Sequence, residues 1–347
     1  LSIRACAAAS PCRQGDIMSD LATKPPPRTN GPSTTPPRLK LSFAERVALW
    51  RDSDLWLSFK SSPVAIVSAA VTLIIVLMAL MADVLAPQDA FDPVALNLLD
   101  GFAHPMERGA GSNMLFVMGS DEQGRDIFSA LFYGTRLSLL VGVASVIFSM
   151  VLGIGLGLLA GYLGGKIEML IMRVADIQLS FPAILIALLI FGVARGLIPP
   201  QQYETTAVFV IIIAIGLSNW AQYARTVRAS TLVERNKEYV HAARLMGISG
   251  FGIMARHVLP NVMGPVLVIA TINLALAIIE EATLSFLGVG LPITQPSLGT
   301  LIRSGQKFLL SGEWWILFFP AMMLVILALA INLLGDWLRD ALNPKLR

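Results

Sequence analysis

The chain has 347 residues, 55% of them hydrophobic and only 14% charged, with a mean hydropathy of +0.69. A soluble domain carries about 25% charged residues, so this composition excludes an ordinary globular enzyme and indicates a polytopic membrane protein. The formal net charge of +3 is small, and no nucleic-acid partner is expected. Cys6 and Cys12, the only cysteines, lie near the start and cannot brace a core. His104, His241 and His257 fall in separate segments without metal-ligand spacing, so no metal site is expected.

Residues 1–44 read as a disordered tail, because Pro, Thr and Ser are frequent through residue 40. The opening LSIRACAAASPCRQGDI lacks the apolar core of a signal peptide. Met18 is a more natural start, and residues 1–17 are read as an upstream extension from start-site misassignment. A bilayer core is crossed by about 20 apolar helical residues. Six stretches qualify, at roughly 64–83, 137–162, 170–194, 206–223, 263–285 and 314–335. They are continuously apolar, without the period-two alternation of a membrane barrel. The expected fold class is therefore an all-α membrane protein with six transmembrane helices. Residues 45–134 hold the first span and a long loop, 135–335 the remaining spans, and 336–347 a tail.

Orientation follows from where Lys and Arg collect. Arg38, Lys40, Arg46, Arg51 and Lys60 precede the first span. Arg225, Arg228, Arg235, Lys237, Arg244 and Arg256 lie between the fourth and fifth. The long loop after the first span instead carries Asp89, Asp92, Asp100, Glu107, Asp121, Glu122 and Asp126 against Arg108 and Arg125. The acidic loop is expected outside, with both termini and the basic loop in the cytoplasm.

The second span reads SMVLGIGLGLLAGYLGG. Its glycines faintly mimic nucleotide-binding loops, but no strand precedes them, and Ala160 and Ile167 stand where a Walker loop needs Gly and Ser or Thr. Gly153, Gly157, Gly161 and Gly165 recur every fourth residue, which places them on one helix face for close packing.

The basic loop, EYVHAARLMGISGFGIMARHVLPN over 238–261, carries more punctuation than a solvated connector needs. Residues 225–246 are expected to form one helix, ended by Gly247 in the left-handed conformation. A second short helix fits Phe251 to Val258, and Pro260 is expected to break the chain before the fifth span. The small pair Ala242-Ala243 would let a partner approach the backbone, and the surrounding basic side chains favour an acidic or mixed cytoplasmic partner.

This stretch resembles the cytoplasmic EAA loop of ABC-importer permeases, E-A-A-x3-G-x9-I-x-L-P. The chain supplies His241-Ala242-Ala243, Gly247 and His257-x-Leu259-Pro260 at that spacing, with Glu238 just upstream. His241 replaces the acidic residue and His257 the isoleucine. The segment GSDEQGRDIFSALFYGTRLSLLVG at 119–142, including Gly119, Asp121, Gly124, Arg125 and Asp126, resembles a motif of dipeptide and oligopeptide permeases. MRVADIQLSFPAILIAL, EATLSFLGVG and NLLGDWLRDALNPKLR extend the likeness, which covers about residues 45–347 and is similar to the C-type subunit.

The resemblance implies a type I ABC importer permease fold, with residues 135–335 as the permease domain, in the bacterial inner membrane. It implies a homologous B-type permease as heterodimer partner, two cytoplasmic ATPase subunits, and an extracytoplasmic peptide-binding protein. This chain would then bind no cofactor, with ATP and Mg held by the partners. The loop would be the lever that receives ATPase motion. Dipeptides or oligopeptides are the expected cargo, with nickel, glutathione or another peptide-like substrate as the alternative. Selectivity is expected to reside mainly in the binding protein.

Three acids lie within or at the ends of spans. Glu280 and Glu281 read as an interfacial pair held by water or Arg, or as a contact for a peptide's amino group. Asp176 reads as buried beside Arg173 or a partner helix. Arg125-Asp126 reads as a brace in the outer loop, or as a docking face for the binding protein. Trp314 and Trp315 read as an interfacial belt. The competing reading is a proton-coupled secondary transporter working through Asp176, Glu280 and Glu281; a membrane scaffold is a third.

Overall fold

The computed structural model describes residues 54–90, 92, 96–292 and 294–342. The expected disordered tail, its cysteines, the question of residues 1–17 and the last five residues lie outside them.

Helix α1 (Asp54–Ser61) leads into α2 (Pro63–Leu80). Ser62 Oγ accepts the Ala65 N–H at 3.3 Å, and Pro63 occupies the first turn, where no N–H is needed. A short α3 (Ala82–Leu85) precedes a loop containing a 3-10 turn at Leu98–Asp100. The same loop holds a hairpin of β1 (Glu107–Arg108) and β2 (Leu115–Phe116), antiparallel with Glu107 opposite Phe116.

The long α4 (Ile127–Leu163) follows, about 55 Å at 1.5 Å per residue. Next come α5 (Gly165–Leu179), α6 (Ala183–Leu197) and α7 (Pro200–Glu234). After α7 the chain forms α8 (Glu238–Leu245) and α9 (Gly250–Ile253), a π-turn (Met254–Val258), and α10 (Leu259–Phe286). Helix α11 (Leu298–Gln306) and α12 (Trp315–Leu342) complete the order.

Among the described residues, five helices are each long and apolar enough to cross a membrane. One further pair is bent: α5 and α6 meet at 98°, as a broken sixth span or a re-entrant loop. Pro182 disfavours helical geometry at Phe181 and has no N–H to continue the ladder. The two halves still track α7 from end to end. Arg228 Nε donates to Glu168 Oε1 at 2.7 Å beside one end, and the Phe191 and Tyr203 rings meet at 6.3 Å beside the other. Near the break, Gln178 Nε2 donates to the carbonyls of Leu217 (2.7 Å) and Ser218 (2.9 Å), and Trp220 Nε1 donates to Gln178 Oε1 (2.7 Å). The single helix expected over 170–194 is thus two helices joined at a sharp bend.

Helices α4 and α7 lie side by side through the expected glycine face. A Cβ on Gly157 would sit 2.6 Å from the Ala224 carbonyl oxygen, and one on Gly161 2.7 Å from Thr231 Cβ. Gly153 faces Tyr223 and Trp220 in the same way. Gly165 does not join this face; it opens α5 at φ +61° with nothing close by.

Two expectations for the basic loop change. Helix 225–246 is interrupted: α7 carries it to Glu234, and the chain turns before α8 starts at Glu238. Pro260 does not break the fifth span, since the helix runs unbroken in direction from Gly250 to Phe286. The π-turn absorbs the proline. The Leu259 N–H reaches back five residues to Met254 O, and the His257 carbonyl accepts Asn261 Nδ2 at 2.7 Å.

Gly157→Val is expected to destabilise the α4–α7 contact by about 1–3 kcal/mol, as overpacking does. Gly155, which has nothing within 4 Å of its Cβ position, should accept Ala without such a loss. Thermal unfolding midpoints of the detergent-purified variants check the contrast.

Candidate functional site

The extramembrane elbow between α7 and α10 is a braced object. Glu234, the last residue of α7, takes Lys237 Nζ on one oxygen and the Tyr239 hydroxyl on the other, both at 2.6 Å. Asn261 Nδ2 donates to the Tyr239 oxygen at 3.1 Å, tying α8 to the start of α10. Burial and the Glu234 carboxylate push the Tyr239 hydroxyl up, which keeps it a donor. Arg235 Nη1 donates to the Gly161 carbonyl at 2.8 Å, and the Arg244 guanidinium lies 5.3 Å from the Tyr162 ring centroid. These contacts anchor the elbow to the end of α4.

Helix α8 ends in a Schellman turn. The Gly247 N–H donates to Arg244 O (3.0 Å) and the Ile248 N–H to Ala243 O (3.2 Å), with Gly247 at φ +78°. Glu238 sits exposed in the first turn, where the helix dipole favours negative charge. Val240, Ala243, Ile253 and Val258 bury against Leu158, Tyr223 and Val227, and Leu259 packs on their edge.

Of the expected alanine pair, therefore, only Ala242 faces outward; Ala243 is taken by the chain's own core. The outward surface of the elbow carries His241, Ala242, Arg244, Leu245 (91% exposed), Met246 and Phe251 (77% exposed). The His241 imidazole makes no hydrogen bond among the described residues. Pro260 is exposed and His257 partly so.

At the opposite end of α4, the motif at 119–126 forms a tight knot. Asp121 Oδ1 accepts the N–H groups of Gln123 (2.8 Å) and Arg125 (2.9 Å), while the Asp121 N–H donates to Arg125 O (3.1 Å). Gly124, at φ +73°, lies against the Asn97 carbonyl, where no Cβ fits. Asp126 caps α4, accepting the Ser129 N–H (2.9 Å) and hydroxyl (2.6 Å) on Oδ2. Burial pushes both Asp121 and Asp126 up, against these hydrogen bonds.

Gly119, at φ +83°, makes room for Trp315, whose Nε1 donates to Ser120 O at 3.2 Å. Trp315 is buried, with the His104 ring at 4.7 Å, so it pins the loop to α12; only Trp314 fits the expected belt. Asp121 and Asp126 both spend their carboxylates on hydrogen bonds within this loop and the first turn of α4.

The three acids have separate surroundings. Asp176 is exposed and pairs with Arg225 of α7 at 2.5 Å, so neither burial nor Arg173 holds it. Glu281 is fully buried, accepting hydroxyls from Ser138 (2.6 Å) and Ser285 (2.8 Å) rather than Arg. Ser138 Oγ in turn accepts the Leu298 N–H at 3.1 Å, so Glu281 joins α4, α10 and the start of α11. Glu280 is partly exposed and accepts Asn219 Nδ2 at 2.9 Å.

Sequence reasoning missed the Glu234–Tyr239–Asn261 node. The available signal was Glu234 itself, the one acid between Arg225 and Lys237. It also missed Gln178 and Ser138, whose partners are 39 and 143 residues away.

A many-span membrane chain with a braced extramembrane elbow fits a transport-system permease. Residues 153–347 match the family described as binding-protein-dependent transport system inner membrane component, and residues 48–100 match the N-terminal TM domain of oligopeptide transport permease C. The chain belongs to the binding-protein-dependent transport family, as the multi-pass, non-catalytic inner-membrane component of an ABC importer.

It is 38% identical to the Di/tripeptide transport system permease protein DppC of Pseudomonas aeruginosa, over 85% of this chain and 92% of that one. It is 34% identical to the Dipeptide transport system permease protein DppC of Haemophilus influenzae, over 88% and 98%. It is 35% identical to the Oligopeptide transport system permease protein OppC of Bacillus subtilis, over 87% and 91%. The resemblance read from the motifs holds for the family and for the fold.

The acidic loop before α4 gives a pH test. Asp100 is buried, which opposes its charge, but donors from Ser112 and Gly111 prevail and hold it below the ordinary carboxylate value. A depressed folded pKa stabilises the loop above the unfolded value and loses that stabilisation as pH falls through the folded one. Acidification from neutral to below about 4, the unperturbed Asp value, should make segment 97–112 protease-sensitive. Asp100→Ala should make it sensitive already at neutral pH.

Proposed function

We propose that this chain is one half of a heterodimeric pore that imports dipeptides or oligopeptides across the bacterial cytoplasmic membrane. A homologous B-type permease forms the other half. Two cytoplasmic ATPase subunits hold ATP and Mg, and an extracytoplasmic binding protein delivers cargo. The curated relatives named for dipeptide, di/tripeptide and oligopeptide transport support the cargo class.

The observation that carries the coupling role is the elbow's combination of rigidity and exposed apolar surface. Leu245, Met246 and Phe251 project from the end of the bundle among Arg244 and His241. Large apolar groups beside charges on an aqueous face suit a protein partner with an apolar pocket and acidic rim. Force applied to such a surface reaches α7 through Glu234 and α10 through Asn261. A stiff elbow transmits displacement that a flexible linker would absorb. Asp176, Glu238, His241, Ala242, Gly247, His257, Leu259 and Pro260 carry no covalent chemistry in this reading; hydrolysis belongs to the partners.

Inserting Gly-Ser after Gly247 should leave ATP hydrolysis by the assembled importer but abolish peptide uptake; normal uptake counts against the lever. Ala242→Asp should release the ATPase pair on purification without changing the thermal midpoint of the isolated subunit. Ala243→Asp, at a buried position, should instead lower that midpoint.

A further inference from the structure

The membrane-facing surface of the chain is not uniform. The uncovered faces of α2 (Val67, Leu73), α6 (Leu185, Leu189) and α12 (Val325, Leu329) are apolar, as exposure to lipid or an apolar neighbour requires. One uncovered strip differs. Glu280, half-buried, lies on the side of α10 where Leu276, Ile279 and Leu287 are exposed, whereas its neighbours Ile278, Glu281 and Ala282 are buried. Asn219 of α7 meets it, Gln222 follows one turn along and is exposed, and the exposed Asp176–Arg225 pair comes next.

Asn219 lies about 22 Å along α7 from Glu234, at 1.5 Å per residue, inside the apolar run 206–223, and Arg225 sits just past that run's end. A carboxylate, an amide and an ion pair in one row along a spanning helix belong against water or protein, not lipid.

Glu280 is also held in a particular way. Asn219 Nδ2 donates both to Glu280 Oε2 (2.9 Å) and to the Ile215 carbonyl (3.1 Å), which fixes the amide and with it the acid. Glu280 Oε1 has no hydrogen-bond partner among the described residues. Its neighbour Glu281 is saturated by serine hydroxyls and turned inward. Two adjacent carboxylates thus have different jobs: one ties helices together, and the other presents an oxygen with unused acceptor capacity at an uncovered face.

We propose that Glu280, Gln222 and the Asp176–Arg225 pair line a water-filled cargo lane on this subunit, with buried Asn219 orienting Glu280 from behind, and that Glu280 takes the protonated amino end of the passing peptide. An ammonium brings three donors and a positive charge, which match an oriented carboxylate with lone pairs to spare. The site is one carboxylate deep, so it attracts the amino end without a pocket that would trap it. The Asp176–Arg225 pair, further toward the elbow, offers both signs of charge to a zwitterion. The cargo class rests on the peptide reading above; the lane does not.

The test uses the assembled importer, with its partner permease, ATPases and binding protein, in proteoliposomes, with Cys6 and Cys12 changed to Ser. Gln222→Cys should react with a charged, membrane-impermeant thiol reagent, whereas Leu189→Cys on the apolar face should not. Gln222→Cys as unreactive as Leu189→Cys in both nucleotide-free and vanadate-trapped states overturns the lane.

Glu280→Gln should slow transport of an alanyl dipeptide about tenfold, the scale of removing one charge-assisted hydrogen bond. The complex should still assemble, and Glu280→Asp should recover part of the rate. Undiminished dipeptide transport by Glu280→Gln overturns the role of Glu280 at the amino end. Labelling of Gln222→Cys in an assembly that moves no dipeptide even as wild type rejects the peptide reading while the lane stands.

Discussion

Gly153, Gly157 and Gly161 bring α4 against Tyr223, Ala224, Val227 and Thr231 of α7 at near-backbone distance, and the elbow is seated on that seam. Without a hydrophobic drive between helices in lipid, close packing is one of the few forces that can hold two spans together, and only glycine permits it at this range. The seam runs to the very end of α4. There the Gly161 carbonyl takes Arg235 and Tyr162 receives Arg244, so the elbow is seated on both long helices at once. A push on α8 therefore meets a two-helix strut rather than a single flexible rod.

The polar groups at membrane depth follow a second constraint. Backbone freed at the bend between α5 and α6 and side chains buried within the bundle must find partners inside the protein, because lipid offers none. Gln178 spans the break by donating to two α7 carbonyls and accepting from Trp220. Glu281 is satisfied by hydroxyls from α4 and α10, which fastens the start of α11 to both. These hydrogen bonds replace ion pairs with neutral donors, a less demanding arrangement where two desolvated charges would need ideal geometry. Against that background Glu280 stands apart, since its partner is a single amide and its second oxygen has no hydrogen-bond partner among the described residues.

Much of this was readable from residue order. Five of the six apolar runs gave long spanning helices, Gly247 gave the end of α8 because its left-handed turn admits little else, and the glycine interval gave the α4 packing face. The failures share a cause. Pro260 carries a local rule against helix continuation, yet the upstream π-turn and the Asn261 side chain absorb it. Ala242 and Ala243 are indistinguishable in composition, and only the packing of α8 on Val227 and Val258 decides which one is covered. Trp315 looked like Trp314 until Gly119 on a distant loop made room for it.

The sequence by itself determined what is local or additive: membrane residence, the five long apolar helices, the stop at Gly247 and the family. Hydropathy sums over a window, and backbone preferences act within a turn, so both survive without knowledge of the fold. Tertiary structure alone decided which of Glu280 and Glu281 is spent on the bundle, which alanine faces outward, and what Glu234 and Gln178 hold. Those outcomes depend on partners tens of residues away and on a helix's rotation about its axis, which packing fixes and a linear pattern leaves open.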